Sequence, residues 1–218
     1  NRHGQAERSL RANREVTDLL FSTAFTLWGL DTSWLELIAV LLAFAMILCN
    51  IGELHWGWPL AAVSSVLYFF LFWSQRLYGD ALLQVLFVVL ALWGWSVWLH
   101  GVQGTPLPIT RMPTRQRLTL AWMGALLWLA TGCALLNFTD TDVPWWDAFP
   151  TAFSLLGQYL LAHKRLENWI VWILVNIVAA GLFAWKGLWL TTLLYLIFIV
   201  LCAVGWRTWS QHIEVEIA

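Results

Sequence analysis

Seven stretches of this chain are apolar for close to the length that a membrane-crossing helix needs, roughly 20 residues. They are Trp34–Asn50, Trp56–Ser74, Ala81–Leu99, Leu118–Asn137, Trp146–Ala162, Trp169–Trp185 and Leu188–Trp206. Several are short, so their ends are loosely fixed. Ahead of them, Asp18–Leu30 is too short to cross. It mixes Leu19, Leu20, Phe21, Phe25 and Trp28 with Ser22, Thr23 and Thr26, and is expected to be a helix lying at the interface. The only long connection, Gly101–Arg117, carries Pro106, Pro108 and Pro113 and divides the chain into halves.

The halves repeat. The pattern around Trp58, Ser65, Gln84 and Gly94-Trp95-Ser96-Val97-Trp98 returns 111 positions later as Trp169, Asn176, Tyr195 and Gly205-Trp206-Arg207-Thr208-Trp209. Three helices reverse the direction of a chain, so two adjacent triplets would be inverted. Both copies point the same way only if an odd number of helices lies between them, and Leu118–Asn137 supplies one. The expected fold is therefore all-α and polytopic, with seven transmembrane helices in a 3+1+3 arrangement of parallel repeats. The expected division is an arginine-rich segment with an interfacial helix (1–32), a first three-helix repeat (33–100), a loop and linker helix (101–144), a second repeat (145–210) and a tail (211–218). A duplicated membrane unit with polar residues in each copy suggests a transporter with its site between the copies.

Composition agrees. Of 218 residues 60% are hydrophobic and 11% charged, with mean hydropathy +0.68; a soluble domain carries roughly 25% charged residues. A net charge of -1 leaves no broad basic surface for nucleic acid. Cys49, Cys133 and Cys202 lie far apart in apolar runs, which is neither a disulfide framework nor a zinc spacing. Most of the tryptophans mark segment ends, as an aromatic belt does. No apolar core directly follows Arg2, Arg8, Arg11 and Arg14, so residues 1–16 do not read as a signal peptide. Orientation follows from basic loops. Arg111, Arg115, Arg117, Lys164, Arg165 and Arg207 share one side, against Arg76, Lys186 and the acidic loop of Asp140, Asp142 and Asp147. That places the C-terminus in the cytoplasm, although the four N-terminal arginines count against it.

The chemistry must come from polar side chains inside the spans. No Asp, Glu, Lys, Arg or His lies near the middle of any span, so a proton relay, an axial haem histidine, a retinal lysine and a nucleophile–base pair are all missing. What remains groups at helical spacing: Thr151, Ser154 and Gln158; Trp169, Trp172 and Asn176; Thr191 and Tyr195; and Gln84 with Ala91 and Trp95. A primary amide has four bonding sites and is hard to satisfy in hydrocarbon, which singles out Gln158 and Asn176. Amides, hydroxyls and indole faces suit a flat ring bearing hydroxylated groups. Indoles also hold a delocalised cation without a carboxylate, at about 0.5–2 kcal/mol per contact.

The stretch Gln158–Asn176 reads Q-Y-L-L-A-H-K-R-L-E-N-W-I-V-W-I-L-V-N, and Lys186–Tyr195 reads K-G-L-W-L-T-T-L-L-Y. With W-x-x-W-x-x-x-N preceded by Q-Y-L-x-A and K-x-x-E-N, the chain resembles the PnuC family of nicotinamide riboside transporters over about residues 34–210. The resemblance implies a fold like that of the larger SWEET-type sugar transporters, a homotrimer and a bacterial inner membrane. It implies facilitated diffusion of nicotinamide riboside, drawn inward by a cytoplasmic kinase that phosphorylates it, with no cofactor, metal or catalysis. The implied binding residues are Trp172, Asn176, Trp169, Gln158, Thr191 and Tyr195, with Gln84 added by the repeat. Thiamine and riboflavin carriers are relatives, so another vitamin is the alternative. Two other classes remain: a membrane enzyme acting on a lipid or quinone headgroup, with a metal at Asp140, Asp142 and Asp147, and a non-catalytic subunit of a larger complex.

Overall fold

A computed structural model describes residues 18–27, 30–74, 78–101, 105–139, 142–185 and 189–217. Among them run seven long helices: α1 (Trp34–Ile51), α2 (Gly57–Ser74), α3 (Tyr78–His100), α4 (Thr114–Phe138), α5 (Pro144–Ala162), α6 (Asn168–Trp185) and α7 (Trp189–Ile217). Each holds one of the apolar runs. Five contain windows long and apolar enough to cross a membrane, namely α1, Ala81–His100 of α3, α4, α6 and Thr192–Ile213 of α7; Gly57–Leu71 is a shorter apolar helix.

The helix expected at Asp18–Leu30 is a correction. Only Asp18–Phe21 are helical. Thr23–Leu27 (β1) and Leu30–Ser33 (β2) pair as antiparallel strands, with Thr26 opposite Asp31 and Phe25 opposite Thr32. β-branched threonines and phenylalanine suit a pleated surface better than a helix. The strand ends where α1 begins: Ser33 Oγ accepts a hydrogen bond from the Glu36 amide at 3.2 Å, the helix-capping geometry that Ser-x-x-Glu encodes. The arginines before residue 15 lie outside the described residues.

The chain falls into two compact units, and α1, α2 and α3 each contribute to both. The first unit comprises residues up to Met46 and Leu60–Val89. Leu35, Ala39, Ala61 and Ala81 are its most buried apolar residues. Buried Ser64 donates its hydroxyl to the Ala39 carbonyl at 3.0 Å, tying α2 to α1.

The second unit comprises Ile47–Pro59 and Leu90–Ala218. Here α4 packs on α5, α5 on α6 and α6 on α7. Small residues permit close approach. Gly124 and Gly132 of α4 face Phe153 and Trp145 of α5, and Gly157 of α5 faces the Trp172 indole of α6. Leu160, Val171 and Val175 form a core with Met112. The connection into α4 is laid along the α5–α6 turn. Thr110 N–H donates to the Lys164 carbonyl, and Leu166 N–H donates to that of Thr110. Glu167 Oε1 accepts from Met112 N–H and from Arg117 Nε, each at 3.0 Å. The outer face of α4, with Leu118, Trp122, Leu126 and Leu129, is exposed, as a lipid-facing surface is.

The repeat reappears as contacts. The Trp58 ring covers Gly94 and the Trp169 ring covers Gly205. Trp58 meets Trp98 edge-on at 5.6 Å, and Trp169 meets Trp209 edge-on at 5.3 Å. Trp98 Nε1 donates to the Leu161 carbonyl and Trp209 Nε1 to that of Asn50, both at 3.2 Å. Each member of these pairs lies 111 positions from its counterpart. The turns match too: Leu54 N–H bonds the Cys49 carbonyl as Arg165 N–H bonds that of Leu160.

Candidate functional site

Helix α5 falls outside the helices that cross by length and composition, yet it is the most enclosed. Ala148, Ala152, Ser154, Leu156, Gly157, Gln158 and Leu160–Ala162 are all buried. A helix walled by other helices has no need of a continuous apolar surface, so polar groups on it are affordable if something bonds them. Pro144 opens it at a position where a missing N–H costs nothing. Thr151 turns its hydroxyl back onto the Asp147 carbonyl at 3.1 Å, so it is satisfied by its own helix. Ser154 and Gln158 lie one and two turns further on the same face and are both 8% exposed. Gln158 Oε1 is buried without a hydrogen-bond partner. Such an oxygen costs roughly 1–3 kcal/mol unless water or a ligand supplies the donor.

One residue earlier, Gly157 lets α6 come close. A Cβ there would lie 2.9 Å from Trp172 Cε2 and 3.0 Å from Nε1. The half-buried Trp172 indole therefore packs on α5 at Gly157, the residue before Gln158. One turn along α6, Asn176 is buried and donates from Nδ2 to Cys202 Sγ of α7 at 3.7 Å. A thiol is a weak acceptor, so a ligand oxygen would displace it at little cost. Tyr195 of α7 is half-buried, with Phe183 at 5.2 Å and Phe198 at 5.9 Å between ring centroids. Contacts thus join α5 to α6 at Gly157 and Trp172, and α6 to α7 at Asn176 and Cys202 and at Phe183 and Tyr195.

The other sequence candidates are placed differently. Trp169 is buried at the start of α6, in the tryptophan layer with Trp209, and its Nε1 has no partner. Its nearest shown neighbours are Gly205 and Trp209 rather than Asn176. Gln84 is half-buried on α3 and belongs to the first unit. Thr191 is helical, but its side chain lies outside the described ones, as does Asp140.

Sequence reasoning passed over two features. Cys202 lies in an apolar run, and nothing local in the sequence marks it as the partner of Asn176. Trp93, Tyr159 and His163 form a ring cluster on α3 and α5, with Trp93 stacked on Tyr159 at 6.1 Å and Tyr159 4.4 Å from His163. Among the described residues, no three His, Cys, Asp or Glu side chains gather as metal ligands would.

Comparison with known proteins gives a consistent set. Residues 33–211 match the model of a family described as nicotinamide mononucleotide transporter. The nicotinamide riboside transporter PnuC of Escherichia coli (strain K12) is 22% identical, over 89% of this chain and 92% of that protein. The riboflavin/roseoflavin transporter RibM of Streptomyces davaonensis is 27% identical, over 87% of this chain and 91% of its own. A crystal structure of the vitamin B3 transporter PnuC superposes with a TM-score of 0.70 at 20% identity, covering 83% of this chain and 82% of that one.

Proposed function

The chain belongs to the nicotinamide mononucleotide transporter family, and from that premise we propose that it carries nicotinamide riboside across the bacterial inner membrane. The observation that carries the reading is the unpartnered Gln158 oxygen on a buried stretch of α5, one residue from Gly157, where the Trp172 indole packs. Nicotinamide riboside offers a pyridinium for an indole face, and a carboxamide and ribose hydroxyls as donors. Sites for such molecules are mostly apolar with a few placed polar groups. Trp172 would face the ring, Gln158 would accept from an amide or hydroxyl, and Asn176 would exchange its thiol contact for a ligand oxygen. Tyr195 and Thr191 are further contacts on the repeat reading. Trp169 would support Trp172 from one turn away, in keeping with its place in the tryptophan layer.

In this reading the seven helices form a SWEET-like 3+1+3 array, and the contacts that recur at an offset of 111 favour parallel repeats. The assembly is a homotrimer. The C-terminus lies in the cytoplasm with Arg117, Lys164 and Arg165, whose mutual proximity at one end the linker contacts support. Without an ionisable relay in the spans, transport is facilitated diffusion, pulled inward when a cytoplasmic kinase traps the product. Riboflavin is the second reading, favoured by the RibM likeness at 27% identity.

Titrating purified protein with nicotinamide riboside, thiamine and riboflavin separates these readings. Asn176→Leu should weaken nicotinamide riboside binding by about tenfold or more, the loss of one buried hydrogen bond of roughly 1–3 kcal/mol, while the protein stays folded. Unchanged affinity would remove Asn176 from the site. Tight binding of riboflavin alone would replace the substrate.

A further inference from the structure

Two residues 111 positions apart share an unusual backbone. Glu53, after α1, has φ 55°, and Lys164, after α5, has φ 46°. Each follows a helix whose last turn closes by the same pair of bonds: Glu53 N–H to the Asn50 carbonyl and Leu54 N–H to that of Cys49, matched by Lys164 to Leu161 and Arg165 to Leu160. This helix stop ordinarily takes glycine at the left-handed position, because a Cβ there costs roughly 1–2 kcal/mol. Both copies carry a long charged side chain instead. The two side chains meet: Lys164 Nζ lies 2.7 Å from Glu53 Oε2.

The pair is embedded. The Lys164 side chain is only 8% exposed, and its ammonium sits 4.7 Å over the Trp98 ring. His212, near the end of α7, reaches the other oxygen, with Nδ1 2.7 Å from Glu53 Oε1. Around it the crossed indole bonds, Trp98 to Leu161 and Trp209 to Asn50, bind the same two turns. On the far side, Glu53, Lys164 and His212 line a cavity of about 500 Å³ with the linker residues Pro106 and Pro108.

We propose that Glu53 and Lys164 form a latch that holds this end of the carrier shut, and that the cavity is the vestibule onto which it opens. This rests on the transport reading above and names the groups that gate it. Strain at both left-handed positions and a buried ammonium are tolerated because each side chain completes the other. For substrate to pass this end, the α1–α2 and α5–α6 turns must part. Parting them breaks the ion pair and both indole bonds together, and the vestibule lets water reach the released charges. His212 steadies the carboxylate from outside the pair, and its exposure lets it keep contact with water as the latch opens.

The test uses full-length protein in liposomes with Cys49 and Cys133 replaced by alanine. Cys202, beside Asn176 in the core, then reports water access through a membrane-impermeant thiol reagent. Glu53→Gln leaves the Lys164 ammonium buried without its counter-ion. It should raise the labelling rate from the latch side at least about tenfold, the factor that 1.4 kcal/mol represents. Lys164→Met should act in the same direction. The exchange E53K/K164E restores the pair and should bring labelling back toward that of the parent. Size-exclusion and nicotinamide riboside titration on the same samples report folding and the site. Labelling unchanged in both single variants overturns the latch, as does an exchange variant that is folded yet labels like Glu53→Gln. If the parent binds no vitamin but the labelling pattern holds, the substrate reading fails and the latch stands.

Discussion

Gly205→Ala tests the packing on which the repeat rests. A Cβ at that position would lie 2.6 Å from Trp169 Cζ2 and 2.7 Å from Cε2 and Cη2. Carbon atoms in contact settle near 3.5–4.0 Å, so the indole must retreat by about 1 Å. It has little freedom to do so. Its ring stands edge-on to Trp209 at 84°, and Trp209 is fully buried with its N–H held by the Asn50 and Ile51 carbonyls. Overfilling a packed core costs about 1–3 kcal/mol. Alanine is also the better helix former, by roughly 1 kcal/mol, so a control is needed. Gly181 of α6 supplies it, since a Cβ there meets nothing within 4 Å. Gly181→Ala should be neutral or stabilising, and Gly205→Ala should melt below it by about 2–12 °C, taking roughly 2–4 °C per kcal/mol for a chain of this size. Gly94→Ala, with a Cβ 2.3 Å from two atoms of the Trp58 ring, should fall at least as far. Thermal unfolding followed by tryptophan emission reads all three. If either layer variant melts with Gly181→Ala, the rings are not seated on these glycines and the repeated layer is refuted.

Gln158→Leu removes a buried acceptor that has no partner, so it should stabilise the unliganded protein by roughly 1–3 kcal/mol while weakening nicotinamide riboside binding about tenfold or more; a lower melting temperature with unchanged affinity would contradict both halves. Glu167→Gln weakens the acceptor for Arg117 and Met112 N–H and should cost about 1–3 kcal/mol. Proteolysis should then cut first in the linker before α4, and protection equal to the parent's would show that the clamp does not hold it. Ser33→Ala deletes the cap on α1 and should lower stability by about 0.5–2 kcal/mol, measured as amide exchange in the first turn of α1; unaltered exchange there would discount the cap.

Much of the helical layout was legible because lipid imposes it. Backbone groups in hydrocarbon must bond within their own segment, so each apolar run had to become a helix, and each did. The pairing of Thr23–Leu27 with Leu30–Ser33 was missed for the opposite reason. In a short polar–apolar segment no such rule applies, and β-branched threonines with a cross-strand partner outweighed the amphipathic reading. At the candidate site, Gln158 and Asn176 stood out because an amide in an apolar run demands a partner. Cys202 did not, because a thiol is as much at home in a core as in a bond. Glu53 and Lys164 were readable in principle, since they lie at the same offset as the tryptophans. They escaped notice because a glutamate and a lysine share no side-chain likeness; only the backbone they share reveals the equivalence.

The sequence by itself determined the number of helical runs, their duplication at 111 residues and the absence of charge in their interiors, because hydrophobic length and internal likeness are properties of the chain before it folds. The tertiary structure alone decided which tryptophan lies on which glycine, which amide is left without a donor and which charges meet across the two turns. Those contacts join residues far apart in the chain, and their energies depend on distance and direction, which no one-dimensional pattern carries.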